Sequence, residues 1–160
     1  MMLIMKRLED GAGKLCKALV PIKHEYYLGA GKSAAICTLS SIDLLEMISK
    51  LSLMNKVLIA GRLLSENKGI DAMIAFTVQH PELKRILVCG KEVKGHRAGQ
   101  ALLALASNGV DLSGRIIGAA GPNPIVKRCA QDVDIFRRQV QIIDLIGTVD
   151  IGKISQLLVA

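Results

Sequence analysis

Reactive chemistry in this chain has few places to start: three histidines (His24, His80 and His96) and four cysteines (Cys16, Cys37, Cys89 and Cys129). The cysteines form no C-x-x-C pair. Three lie in or beside apolar runs, where a free thiol is usually a small hydrophobe. That pattern speaks against a disulfide framework and against a structural zinc site. His80 precedes Pro81 on the entry side of an apolar run, and His24 stands between Lys23 and Glu25. Neither has a Cys or carboxylate at metal-ligand spacing, so both read as surface residues. His96 differs. It sits in the stretch from Cys89 to Gln100 (CGKEVKGHRAGQ), which leaves the most apolar run and enters a helical pattern. Gly90 and Gly95 permit a tight path and close approach of backbone to a bulky ligand. The positive end of a helix disfavours an imidazolium, which leaves a ring lone pair free to donate. Such a nitrogen can bind a metal, act as a base or touch a phosphate; a capping or loop histidine would look the same.

Two glycine motifs fail on context. Gly29-Ala30-Gly31-Lys32-Ser33 resembles the end of a P-loop, but Tyr26 stands where the first glycine belongs, and a β-rich run follows where a helix should. Gly29, Gly31 and Ala34 match a dinucleotide fingerprint and fail the same test. The segment reads as a turn into the first strand. No G-x-S-x-G elbow follows any strand, so Ser/His/Asp catalysis lacks support.

The elements that position His96 follow from periodicity. Near-continuous apolar runs predict strands at Ala34–Leu39, Lys56–Ala60, Arg85–Cys89, Arg115–Gly118 and Gln141–Ile146, buried on both faces. Helical spacing predicts helices over Ile42–Leu53, Gly69–Val78, Ala98–Asn108 and Val133–Gln139, and a short one over Ile151–Val159. Strand–helix–strand repeats of this length require parallel pairing and right-handed crossovers. The expectation is therefore an α/β, doubly wound, Rossmann-like and mainly parallel sheet of about five strands. The whole chain, 1–160, reads as one domain: an irregular arm over 1–33 with Tyr26-Tyr27 packing on an edge, a core over 34–150, and a C-terminal helix over 151–160. Ligands of such sheets bind at the carboxyl ends of strands. Here that rim comprises Ser40–Ser41, Gly61–Lys68, Gly90–Arg97 and Ala119–Pro124.

A length of 160 residues with 51% hydrophobic residues suits one domain with a real core, built from aliphatic side chains because aromatics are only 2%. A membrane-crossing helix needs roughly 20 apolar residues in a row, and no stretch qualifies. Lys6, Arg7, Glu9 and Asp10 are the wrong flank for a signal peptide. A soluble, cytoplasmic protein is expected. The net charge of +7 suits an anionic ligand or an acidic partner. Nucleic acid is not expected, because stacking aromatics are almost lacking.

The stretch Ile86–Ala104 (ILVCGKEVKGHRAGQALLA) resembles the corrinoid-carrying A subunit of tetrahydromethanopterin S-methyltransferase, a family with a similar strand, the run E-V-K-G-H and then G-Q. The resemblance extends through Ala60-Gly61, Ser65-Glu66-Asn67, Gly69-Ile70, Asn108–Asp111, Ile117-Gly118-Ala119, Pro124 and Arg137–Asp144. It implies a cobamide (cobalamin-type) cofactor on the rim, with His96 as a switchable axial ligand to cobalt. The family carries a methyl group between methyl-tetrahydromethanopterin and coenzyme M, coupled to sodium transport through membrane partner subunits. The chain would then be the corrinoid-carrying subunit, inactive alone. Rim position adds Lys94, Gly95, Gly90, Gly61, Asn67, Leu39, Ser40, Gly121 and Gln100 as cofactor contacts, with Lys94 and backbone amides suited to corrin amide oxygens or the nucleotide-loop phosphate.

Three departures are visible. Lys94-x-His96-x-x-Gly99 keeps the histidine and glycine of the D-x-H-x-x-G loop in other cobalamin domains, but has Lys in place of Asp. His96 is therefore expected to lack the usual orienting carboxylate and to bind as a weaker or differently supported ligand. Pro122–Arg128 is more basic than the family's usual acidic stretch. The family's C-terminal membrane helix is not seen before Ala160, which suggests a truncated form or a soluble relative. Two other readings follow: a soluble cobamide carrier without turnover, or a nucleotide- or phosphate-binding α/β enzyme that ADP or NAD would stabilise.

Overall fold

The computed structural model describes residues 25–158; His24, Cys16 and most of the expected N-terminal arm lie outside them. Strand β1 (Tyr26–Leu28) leads to β2 (Ala34–Cys37), helix α1 (Ile42–Ser49), a 3-10 turn (Ser52–Asn55), β3 (Ile59–Gly61), α2 (Lys68–Gln79), β4 (Arg85–Gly90), α3 (Ala98–Asn108), α4 (Ala130–Gln139), β5 (Gln141–Ile146) and α5 (Ile151–Leu157). The sheet order is β1-β3-β2-β4-β5. β1 is antiparallel to β3, and all other pairs are parallel. The expected α/β, doubly wound and mainly parallel architecture is present.

Alternation in the strands builds two cores. Ala35, Cys37, Ile86 and Val88 face a layer of α2, α3 and α4, while Ala34, Ile36, Leu87 and Cys89 face α1 and α5. β4, beside the central strand β2, is the most buried, with Ile86, Leu87, Val88 and Cys89 all at most 2% exposed. Each such aliphatic side chain contributes about 1.5–3 kcal/mol by leaving water. The chain turns from β2 toward β3 on one side and later crosses to β4 on the other. The carboxyl ends of β2 and β4 therefore flank the point where the winding reverses, the usual ligand crevice of such sheets.

One expected strand is absent from the sheet. Arg115–Gly118 makes only isolated antiparallel bridges, Val110 with Ile116 and Arg115 with Ile125. Its turn is organised locally: the Asp111 carboxylate accepts from the Ser113 amide, the Ser113 hydroxyl and the Arg115 amide. The Ile116 amide then donates to the Pro124 carbonyl, so the segment is a small wing beside α3. The fifth strand is instead β1, inside the segment expected to be irregular, and Tyr26-Tyr27 does pack on the sheet edge. The first expected helix ends at Ser49 and resumes as the 3-10 turn. His80 is not a free surface group, since its Nδ1 lies 2.8 Å from the Phe76 carbonyl and its ring stacks on Phe76 at 4.0 Å.

Candidate functional site

The site grows from the end of β4. Gly90 has φ +75, and a Cβ there would run into the Thr38 carbonyl, so only glycine lets β4 leave the sheet so close to β2. The next residues are sewn to the neighbouring loop. The Lys91 carbonyl accepts from both the amide and hydroxyl of Ser40, and the Lys91 amide donates to Ser41 Oγ. Leu39 and Arg97 are the non-glycine residues with positive φ among those described, at 51° and 49°. Both flank this junction, and such backbone persists only where the surroundings hold it.

Helix α3 lacks a capping side chain from its own N-cap residue, Arg97. Glu92 does that work from five residues upstream. Its Oε1 accepts from the Gly99 amide at 3.0 Å and its Oε2 from the Gln100 amide at 2.8 Å. A carboxylate at this end also favours the helix dipole. These amides are therefore occupied, which takes them out of the set expected to meet a phosphate. Lys94 is exposed.

His96 is fixed by a residue from another strand's loop. Its Nδ1 lies 2.8 Å from Glu66 Oε2, thirty residues away in sequence. The Glu66 side chain is 1% exposed, whereas the His96 side chain is 54% exposed. Glu66 Oε1 accepts the Asn123 amide at 3.0 Å. Burial alone would raise the Glu66 pKa. The backbone amides of Glu66 and Asn123 and the His96 ring together outweigh it and hold the carboxyl below its ordinary value. An ionised carboxylate accepts only, so Nδ1 carries the proton and Nε2 is the free nitrogen of the neutral ring. The expected lack of an orienting carboxylate is thus corrected. Lys94 does replace the local Asp, but Glu66 supplies the charge from across β2.

The third loop closes over this pair because Gly121 lets it. A Cβ at Gly121 would collide with the His96 carbonyl and lie 3.0 Å from Glu66 Cγ. Gln100 pins the same loop, donating to the Gly118 carbonyl and accepting from the Ala120 amide. Asn67 donates to the Asn123 carbonyl and accepts the Lys68 amide. Of the residues singled out in sequence, His96, Gly95, Lys94, Gly90, Gln100, Asn67 and Gly121 thus belong to one set of converging loops. Ser40 ties the neighbouring loop to them. Leu39 lies there too, but its side chain is fully buried beneath. Gly61, at the end of β3, accepts the Thr38 amide through its carbonyl, and a Cβ there would be 3.1 Å from that of Tyr26. Local spacing did not reveal Glu66, Glu92 or Asn123 as parts of the site. The signals for Glu66 were its place in a rim loop of an α/β sheet and in the Ser65-Glu66-Asn67 stretch of the family resemblance.

The resulting group is a single outward imidazole nitrogen whose opposite nitrogen is held by a buried anion, the arrangement that fixes the tautomer and raises the donor strength of metal-binding histidines. No three His, Cys, Asp or Glu side chains are grouped to hold a metal ion among the described residues.

A family model for the A subunit of tetrahydromethanopterin S-methyltransferase matches residues 15–159. The A subunit of a putative methyltransferase, Mtx, of Methanosarcina barkeri is 30% identical over 145 residues, covering 90% of this chain and 70% of that protein. The second tetrahydromethanopterin S-methyltransferase A subunit of Methanothermobacter thermautotrophicus is 42% identical over 61% of this chain and 54% of its own length. The corresponding A subunit of Methanocaldococcus jannaschii is 43% identical over 61% of this chain and 42% of its own length. The chain thus spans only about half the length of some relatives it matches. With the family model covering nearly all of it, the chain belongs to the family of tetrahydromethanopterin S-methyltransferase A subunits.

Proposed function

We propose that this chain binds a cobamide on the rim around His96, with His96 Nε2 as axial ligand to cobalt. The chain would serve methyl transfer between methyl-tetrahydromethanopterin and coenzyme M together with other subunits. One observation carries the reading: an exposed imidazole whose Nδ1 is tied at 2.8 Å to a buried carboxylate. The donor set fits such a group. A single nitrogen suffices where a macrocycle supplies the equatorial ligands, and the glycine-bearing loops allow a large flat molecule to approach the backbone. When bound, a cobalt corrinoid supplies a metal that takes up a methyl group and passes it to a thiol.

The chain's own residues hold and aim. Glu66 keeps the proton on Nδ1 and the lone pair on Nε2, and it stabilises whatever positive charge the ring gathers on coordination. Glu92 fixes the start of α3 and so the height of the His96 loop. Gln100 and Gly121 hold the third loop against the Glu66–His96 pair. His96 is an exposed side chain between Gly95 and Arg97, both with positive φ, and would be the residue that holds the metal of the group. That exposure suits a ligand that engages and releases during transfer, which in the wider assembly would be coupled to sodium movement by membrane partners.

The test compares wild type with His96→Ala after addition of hydroxocobalamin. The visible spectrum of the wild type should show the benzimidazole displaced and a protein nitrogen bound, and the variant should lack that signature. Indistinguishable spectra would remove the axial role.

A further inference from the structure

Beside the His96 rim, and sharing with it the residues after β3, a cavity of about 790 Å³ opens between α2 and the strands β1 and β3. That size lies within the roughly 300–1,000 Å³ common for small-molecule sites. Its walls are largely apolar, with Leu28, Ile59, Leu63, Met73 and Phe76 prominent. Polar side chains also line it, among them Glu25, Ser65, Lys68, Arg62 and Thr77, and the last two leave buried polar atoms without a partner among the described residues. Arg62 donates through Nη2 to the Ser40 carbonyl at 3.3 Å, but its Nε and Nη1 are buried without an acceptor among the described residues. Thr77, fully buried, likewise leaves its Oγ1 unpartnered.

An arginine cannot shed its charge, and buried donors without acceptors are costly and rare. The ion pairs among the described residues join His96 to Glu66 and Arg128 to Asp132, and neither uses Arg62. Two free guanidinium donors and a hydroxyl in an apolar cleft call for anionic oxygens carried on an apolar body. We infer that this cavity is a binding site for a small amphipathic anion, its carboxylate or phosphate head on Arg62 and its apolar part along Ile59, Met73 and Phe76. The inference is independent of any cofactor at His96.

The full chain, labelled with carbon-13 at methionine and isoleucine methyls, would be titrated with octanoate, octyl phosphate and octanol while the signals of Met73 and Ile59 are followed. Octanoate or octyl phosphate should shift both saturably, and which of them binds more tightly identifies the head group. Arg62→Gln should weaken that binding about tenfold or more, as expected for loss of a charge-assisted hydrogen bond. Octanol should bind far more weakly than the anions. Ala72→Phe, which keeps Arg62 and puts a larger ring on the cavity wall, should weaken binding and guards against a folding defect in the arginine variant. Equal binding of octanol and octanoate would overturn the inference, as would unchanged affinity in either variant. Nuclear Overhauser contacts from Leu15 or Leu19 to Met73 would also overturn it, by showing the chain's own N-terminal segment in the cavity.

Discussion

Replacing Glu66 by glutamine removes one charge and one acceptor from a side chain that serves two donors at once. The amide would keep a single oxygen. If that oxygen stays on the Asn123 amide, the new side-chain NH2 faces the His96 Nδ1 proton; if it turns to His96, the NH2 faces the Asn123 amide. In the first case the ring can shift its proton to Nε2 and accept the amide at Nδ1, which takes the lone pair away from the metal side; in the second the Asn123 amide loses its acceptor, and a bond to a charged group is worth about 1.5–3 kcal/mol. For metal affinity, loss of a partner behind a ligating histidine costs about 10–100-fold, or about 1.4–2.7 kcal/mol. A hydroxocobalamin titration followed by visible absorption should therefore give Glu66→Gln an affinity lower by that factor, with His96→Ala as the limit. Urea unfolding separates the loss of stability from the loss of binding. Because the Glu66 carboxyl is held below its ordinary value of 4.5, the stability it adds is present above that pH and fades as pH falls through its lower folded value. An unchanged cobalamin affinity in Glu66→Gln would refute the reasoning, since the ring would then need no anion behind it.

Other expectations follow from the same contacts. Gly121→Ala should lose about 1–3 kcal/mol of stability by overpacking and should weaken cobalamin binding as well, because its Cβ would press on the His96 carbonyl. Gly95→Ala, with open space around it and only a φ of +82 to sustain, should cost about 1–2 kcal/mol; thermal unfolding of the two variants checks the order. Glu92→Ala should remove about 0.5–2 kcal/mol of capping and speed hydrogen exchange at the Gly99 and Gln100 amides. Burial pushes the Cys37 and Cys89 thiols up to about 12, so iodoacetamide at pH 8 should label exposed Cys129 and spare both, as read by peptide mass spectrometry. These two thiols keep their protons longer when folded. Their contribution to stability is level below pH 9, the ordinary thiol value, and declines as pH rises from there toward about 12.

The central strands were legible because burial on both faces leaves an unmistakable mark: RILVC and AAIC carry almost no polar side chain. The same logic misread Arg115–Gly118. Two isoleucines between glycine-bearing turns look like a short strand, yet they are satisfied by a local wing stitched by Asp111 and Pro124 rather than by the sheet. β1 escaped notice because three residues on an edge, two of them mostly exposed, carry little hydrophobic pattern. At the site, His96 and its glycines were readable from one contiguous loop. Glu66 was not, because its role depends on the loops after β3 and β4 meeting across β2, a fact of strand order that no local spacing encodes.

The proposed cobalt–His96 bond is open to direct inspection by electron paramagnetic resonance of cob(II)alamin bound to protein grown with nitrogen-15 histidine. An axial nitrogen from the protein should split each cobalt line into a doublet, and His96→Ala should abolish that doublet. A triplet persisting in the labelled protein would mean that the cofactor's own base, and not this histidine, faces the metal.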